Sequence, residues 1–236
     1  MPRIKFALCS VLDLVDEILV ADQKSTDGTC EYCRAQGARV ISLDSQTVLN
    51  LGFSNLRNCL INQARNEYIL ILDSDEIISS ELKKKIRQLF KEKKDHAFRA
   101  YQFYSYSFLN RKRIRGFEGY TFPRFFDRRF CRFAGFVHEK VIVNGNICQL
   151  REPLYHVPYE SLAENREKAF LYGYLYSKEI PLERNSYFYE FKDISKDLVW
   201  GLTKQHAWLD GRLCLFLETS MMKSFIWAYA LSRKEK

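Results

Sequence analysis

Two aspartates two residues apart, Asp73 and Asp75, follow an unbroken apolar run, Tyr68-Ile69-Leu70-Ile71-Leu72, and precede Glu76. On an extended chain the two carboxylates point different ways. A turn after Leu72 brings both to one mouth, where a hard divalent cation can take carboxylate oxygens and keep open positions for phosphate oxygens, as Mg²⁺ does. The alternative is an acidic turn that caps the next helix and solubilises a strand end, and the spacing alone does not choose. A second acidic segment, Asp22-Gln23-Lys24-Ser25-Thr26-Asp27-Gly28-Thr29, follows the apolar stretch Glu17 to Ala21. No G-x-G-x-x-G or G-x-x-x-x-G-K-[ST] follows an expected strand, which argues against a dinucleotide fold or a P-loop.

The elements that must position these residues read as alternating strand and helix. Strands are expected over 17–21, 39–43 and 68–72, and helices over 27–36 (closed by Gly37), 55–64 and 81–93, the last capped by Ser79 or Ser80. The uninterrupted run 68–72 fits a central parallel strand buried on both faces. A β-α-β-α-β order implies a doubly wound sheet, in which ligands bind beyond the carboxyl ends of the strands, where both acidic segments lie. The 236 residues carry a net charge of +8 with 47% hydrophobic and 28% charged residues, which excludes collagen-like, low-complexity and highly charged disordered chains. Seven scattered cysteines favour a reducing compartment. The pair Cys30 and Cys33 reads as structural thiols, because no second pair stands near to complete a zinc site. No signal peptide is read at the start, and no apolar run is long enough for a membrane span.

Taken in order, Val15 to Asp22, Ser25 to Thr29, Phe53-Ser54-Asn55-Leu56-Arg57-Asn58 and Tyr68 to Glu76 resemble the successive blocks of family 2 glycosyltransferases with the GT-A fold. Phe125-Phe126-Asp127-Arg128, Gly135-Phe136-Val137-His138-Glu139 and Leu209-Asp210-Gly211 resemble the lipopolysaccharide-core β-glucosyltransferase branch. The resemblance implies a nucleotide-diphospho-sugar transferase: an α/β domain over 1–158, with a mostly parallel sheet flanked by helices, and a helical C-terminal extension over 159–236. It also implies inverting transfer of a hexose, glucose from UDP-glucose, onto a glycolipid or oligosaccharide acceptor of the bacterial envelope, with Mg²⁺ or Mn²⁺ as cofactor. The expected location is cytoplasmic, peripheral on the inner membrane.

Carried onto matching positions, the resemblance places Asp22 at the nucleotide base, with Ser25 and Asp27 beside it in the donor site. Arg57 falls at the base or phosphates, Asp73 at the ribose or donor sugar, and Asp75 at the metal bridging the diphosphate. An inverting reaction needs a base for the acceptor hydroxyl. Glu139 is the candidate, since partial burial can raise a carboxyl from about 4.3 toward neutrality. His138 is its rival, because an imidazole already titrates near about 6.5. His156 is a candidate to complete the metal shell; a structural histidine is the equal alternative.

Family members begin with a further strand and a polar turn before the helix that here reads from about Lys5 to Leu14. Without that strand a neighbour in the middle of the sheet has unpaired N–H and C=O groups, at about 1–3 kcal/mol for each buried one. Either the true start lies upstream and this is a shortened reading, or the chain is a decayed, weakly active relative. Residues 101–136 hold 13 aromatics and eight Lys or Arg against two acids. Such interleaving also marks nucleic-acid surfaces. The rings alternate as on a half-buried strand, however, and no RNA-binding consensus appears, so no nucleic acid is expected. In a transferase the same cations would face an anionic acceptor or lipid headgroups. Helical segments follow over 169–176, 187–200 and 213–231. The last of these, broken by Glu218 and Lys223, reads either as an interfacial helix or as one packed on the domain or a twin subunit in a homo-oligomer.

Overall fold

The computed structural model describes all residues except 1–2, 44, 92–97, 110, 136–138, 159–160, 204–206 and 235–236, and gives only the backbone of 45–51, 182, 197, 200–202, 207, 212, 214–216, 218 and 221. Two compact units result, residues 1–105 with 120–156 and residues 106–119 with 157–236.

The first unit opens with α1 (Ile4–Cys9), β1 (Leu19–Asp22), α2 (Thr29–Ala35), β2 (Arg39–Ser42) and α3 (Ser45–Gln63). It continues through β3 (Tyr68–Leu70), β4 (Glu76–Ile78) and α4 (Ser80–Lys91). Helix α3 begins ten residues earlier than the expected 55–64, and Gly52, at φ 75° and ψ 170°, breaks it. That φ is open to glycine and strained for other residues. Ser79 Oγ accepts the Leu82 N–H at 3.0 Å and so caps α4, whose Leu82 and Ile86 are buried as the helical period requires.

After α4 the chain is mainly strand: β5 (Ala100–Leu109), β6 (Lys112–Tyr120), β7 (Phe125–Asp127), β8 (Cys131–Ala134), β9 (Lys140–Val143) and β10 (Ile147–His156). The first pair, β1 and β2, is parallel, with Leu19 opposite Arg39 and Asp22 opposite Ser42. The large sheet runs β3-β7-β5-β10-β4, with β6 paired to β5. Here the ladders β3–β7, β5–β7 and β4–β10 are antiparallel, as is the β8–β9 hairpin. The fold is thus α/β with a mixed sheet. The expectation that 68–72 forms a central parallel strand is corrected: β3 is a half-buried strand at one end of the sheet order. A continuous apolar run reports burial, and strand direction depends on a partner far away in sequence. Among the described residues no ladder joins the parallel pair to β3.

Strand β5 shows the expected alternation. Tyr101, Phe103, Ser105, Ser107 and Leu109 are buried, while Tyr104, Tyr106 and Phe108 are half-exposed. One core joins Val11, Leu82, Ile86, Tyr101, Phe103, Phe125 and Leu154; another joins Ile61, Ala100, Phe126, Cys131 and Phe133.

The second unit takes the tip of the β5–β6 hairpin and three helices, α5 (Leu162–Ser177), α6 (Tyr187–Thr203) and α7 (Arg212–Lys234). Ser161 Oγ accepts the Glu164 N–H at 3.2 Å and caps α5. Helix α7 packs on α5. The approach is close: a Cβ on Gly173 would sit 2.6 Å from the Ser224 carbonyl oxygen. Asp210 accepts the backbone N–H groups of Arg115 and Gly116 at 3.0 and 2.9 Å and holds the hairpin within this unit. No helix of the described residues is long and apolar enough to cross a membrane.

Candidate active site

Strand β7 lies antiparallel to β3, so the register that pairs Leu70 with Phe125 carries Arg124 beside Ile71, whose N–H donates to the Arg124 carbonyl at 2.7 Å. That places the Arg124 guanidinium against the segment after β3. Its Nη1 meets Asp73 Oδ2 at 3.0 Å, and its Nη2 is bonded to Glu76 Oε1. The turn closes on itself: Asp73 N–H donates to Glu76 Oε2 at 2.9 Å, and Glu76 N–H to the Asp73 carbonyl at 3.0 Å.

Helix α3 supplies the second cation. Arg57 Nη2 lies 2.9 Å from Asp73 Oδ1, and Arg57 Nε donates to Glu139 Oε1 at 2.8 Å. The next residue, Asn58, fixes this reach. Its amide donates to the Phe133 carbonyl and accepts the Phe133 N–H, both at 2.9 Å, tying α3 to β8. The β8–β9 register pairs Ala134 with Lys140, so Glu139 stands at the mouth of that hairpin. The Arg57 guanidinium lies 5.4 and 5.5 Å from the Phe122 and Phe133 ring centres, and Arg124 lies 4.0 Å from Phe122. Rings of this kind hold guanidinium groups by cation–π attraction while excluding water.

Three carboxylates therefore share two guanidiniums. Burial alone would raise the Asp73 carboxyl, but the Arg124 and Arg57 charges outweigh it and hold Asp73 well below the usual range. Glu76, only 2% exposed, is pushed up to about 7 by burial, with the Asp73 and Asp75 charges adding to the effect and Arg124 opposing it. Asp73 keeps 34% of its side-chain surface exposed, which makes it the member open to a ligand.

The antiparallel β4–β10 register sets His156 opposite Glu76, and His156 Nε2 lies 3.7 Å from Asp75 Oδ1. One imidazole nitrogen and one carboxylate oxygen so placed are of the types that hold divalent cations. Among the described residues no group of three or more His, Cys, Asp or Glu gathers.

The sequence candidates divide accordingly. Arg57, Asp73 and Glu139 meet, and Asp75 meets His156. Asp22, Ser25 and Asp27 bond within their own loop: Asp22 Oδ2 accepts the Ser25 N–H at 3.0 Å, and Asp27 Oδ1 accepts the Thr29 N–H at 3.2 Å. Burial would raise Asp22, but hydrogen bonds from the Cys30 thiol and Ser25 lower it, and the Asp22 carboxylate, together with burial, pushes Cys30 up to about 11. His138 lies outside the described residues.

Of the eight cations in the basic window, four are engaged within the chain, while Arg111, Lys112, Arg115 and Arg132 are exposed. Arg124 is buried in the cluster, and Arg128 donates to the Ile61 and Ala64 carbonyls at the end of α3. Arg129 pairs with Asp127 and Glu67, and Arg113 with Glu118. Carboxylates and carbonyls, some near in sequence and some far, claim these four cations. Arg124 and Glu76 are the site residues that sequence reasoning missed. The available signal was the proximity of Glu76 to the aspartate pair; for Arg124 only the folded register reveals it.

Comparison with known proteins identifies the family. The family model described as Glycosyl transferase family 2 matches residues 2–156. A Rickettsia felis protein described as an uncharacterized glycosyltransferase is 28% identical over 240 residues, covering 97% of this chain and 82% of the relative. A Rickettsia conorii protein of the same description is 26% identical over 240 residues with the same coverage. The crystal structure of S. aureus TarS 1-349 aligns over 99% of this chain and 88% of that one, at 16% identity and a TM-score of 0.46. With the family match spanning well over half its length, the chain belongs to glycosyl transferase family 2 and is a transferase enzyme of the GT-A type.

Proposed function

We propose that this enzyme is an inverting hexosyltransferase that moves glucose from UDP-glucose onto a sugar of a bacterial envelope glycolipid such as lipopolysaccharide core. The observation that carries the reading is the Arg57 fork, which joins Asp73 and Glu139 across one guanidinium. The residue assigned to the donor sugar and the residue assigned to the acceptor are thereby held at one centre. The identities of glucose, uridine and the glycolipid rest on the sequence resemblance.

Inversion is a single displacement. A bond forms from the acceptor oxygen to the anomeric carbon as the bond from that carbon to the diphosphate oxygen breaks, and the acceptor proton passes to a base. Glu139 fills that role with Oε2, its Oε1 being held by Arg57. Asp73, kept ionised by two arginines, accepts hydrogen bonds from sugar hydroxyls and orients the donor. Asp75 and His156 are the residues to hold Mg²⁺ or Mn²⁺, with Mn²⁺ favoured by the imidazole. The bound cation would supply charge stabilisation to the departing diphosphate, greater in the transition state than in the ground state.

Calorimetric titration of UDP with Mn²⁺ and with chelator tests this reading. Binding is expected to tighten by about tenfold or more with metal, equivalent to about 1.4 kcal/mol, and Asp75→Ala is expected to abolish the difference. Metal-independent binding of single-stranded nucleic acid, without UDP binding, would overturn it.

A further inference from the structure

The outward face of α6 is apolar and cationic in a pattern that a globular surface rarely leaves uncovered. Phe188 is 69% exposed, Phe191 72% and Val199 58%. At a helical period these residues, with half-buried Ser195, fall on one stripe, and Lys192 and Lys196, both exposed, run alongside it. Tyr187, 76% exposed, flanks the start of the stripe.

Among the described acids of the same helix, Glu190 and Asp193 turn the other way. Glu190 Oε2 accepts from Arg233 on α7 at 2.8 Å. Asp193 accepts from the hydroxyls of Tyr229 and Tyr176 at 2.7 and 3.3 Å, and pairs with Arg184 at 3.4 Å. The bundle thus neutralises these carboxylates inside the unit, and the lysines stay with the exposed rings. Helix α7, read from sequence as either interfacial or packed, buries Leu217, Ala228 and Tyr229 and exposes Ile226 and Trp227.

We infer that the α6 stripe is a docking surface for an anionic lipid bilayer, with Phe188, Phe191 and Val199 entering the interface and Lys192 and Lys196 meeting the headgroups. Exposed aromatic side chains beside lysines match the chemistry of that boundary, apolar below and anionic at its rim. A second copy of the chain fits less well. A two-fold contact would set one lysine pair against another, because the carboxylates of Glu190 and Asp193 are turned inward.

Co-sedimentation of the full chain with phosphatidylglycerol-containing and pure phosphatidylcholine vesicles tests the inference, with size-exclusion chromatography run in parallel. The expected result is binding to the anionic vesicles alone, weakening with salt. Lys192→Glu with Lys196→Glu should lower partitioning by at least about tenfold, since each surface cation contributes about a fivefold factor. Phe188→Ser with Phe191→Ser should lower it comparably, with circular dichroism unchanged. The inference is overturned by wild-type protein indifferent to anionic vesicles at low salt, by binding that survives both double variants, or by a concentration-dependent dimer that Phe188→Ser with Phe191→Ser dissolves. None of these readouts depends on transferase activity, so the test stands apart from the proposed reaction.

Discussion

At the scale of single residues the site turns on how few cations serve its carboxylates. Arg57 holds Glu139 by one oxygen and Asp73 by another, which orients both without neutralising either through proton transfer. Glu139→Gln keeps the shape and the acceptor facing Arg57 but removes the basic oxygen. The expected outcome is UDP binding within about twofold of wild type and kcat lower by about 10²–10⁴, the usual worth of a general base. Unchanged turnover would take Glu139 out of that role. Asp73 and Asp75 were legible in the sequence because acidic residues beyond an apolar run declare themselves, and Glu139 only through the family resemblance. Arg124 was not. It is one of eight cations in residues 101–136, and nothing local separates a buried arginine over the Phe122 ring from the exposed ones of the hairpin.

At the scale of elements, the reach of Arg57 depends on where α3 is pinned. Asn58 substitutes for a strand residue, giving and taking one hydrogen bond with the backbone of Phe133. Asn58→Ala leaves a backbone N–H and C=O in half-buried surroundings without those partners, at about 1–3 kcal/mol. For a chain of this size, about 2 kcal/mol lowers Tm by about 4–8 °C, measurable by calorimetry. A shift under about 1 °C would show that the β8–β9 hairpin holds α3 by packing alone. Helix and strand order were readable from periodicity, and the C-terminal helices fall where their aromatic spacing puts them. Ladder partners were not, because each apolar run of strand length fits several registers. Tyr68 to Leu70 is buried enough to read as central, yet its ladder partner is β7, nearly 60 residues later.

At the scale of the whole molecule the buried cluster couples stability to pH. Glu76 titrates near about 7 in the folded chain, against about 4.3 when unfolded. Between those values the folded state keeps a proton that the unfolded state has released, so the unfolded state binds fewer protons and stability falls as pH rises. The limiting slope is about 1.4 kcal/mol per pH unit. Asp73 acts with the opposite sign: held low, its contribution is fully present above about 4 and is lost only in stronger acid, outside this window. Glu76→Gln carries no proton to lose, and its amide can still accept from Arg124. Metal-free wild type should therefore lose Tm between pH 5 and 7.5 more steeply than Glu76→Gln, with histidines common to both proteins cancelling in the difference. Equal slopes would mean that Glu76 is ionised throughout and that the two arginines carry all three carboxylates as charges.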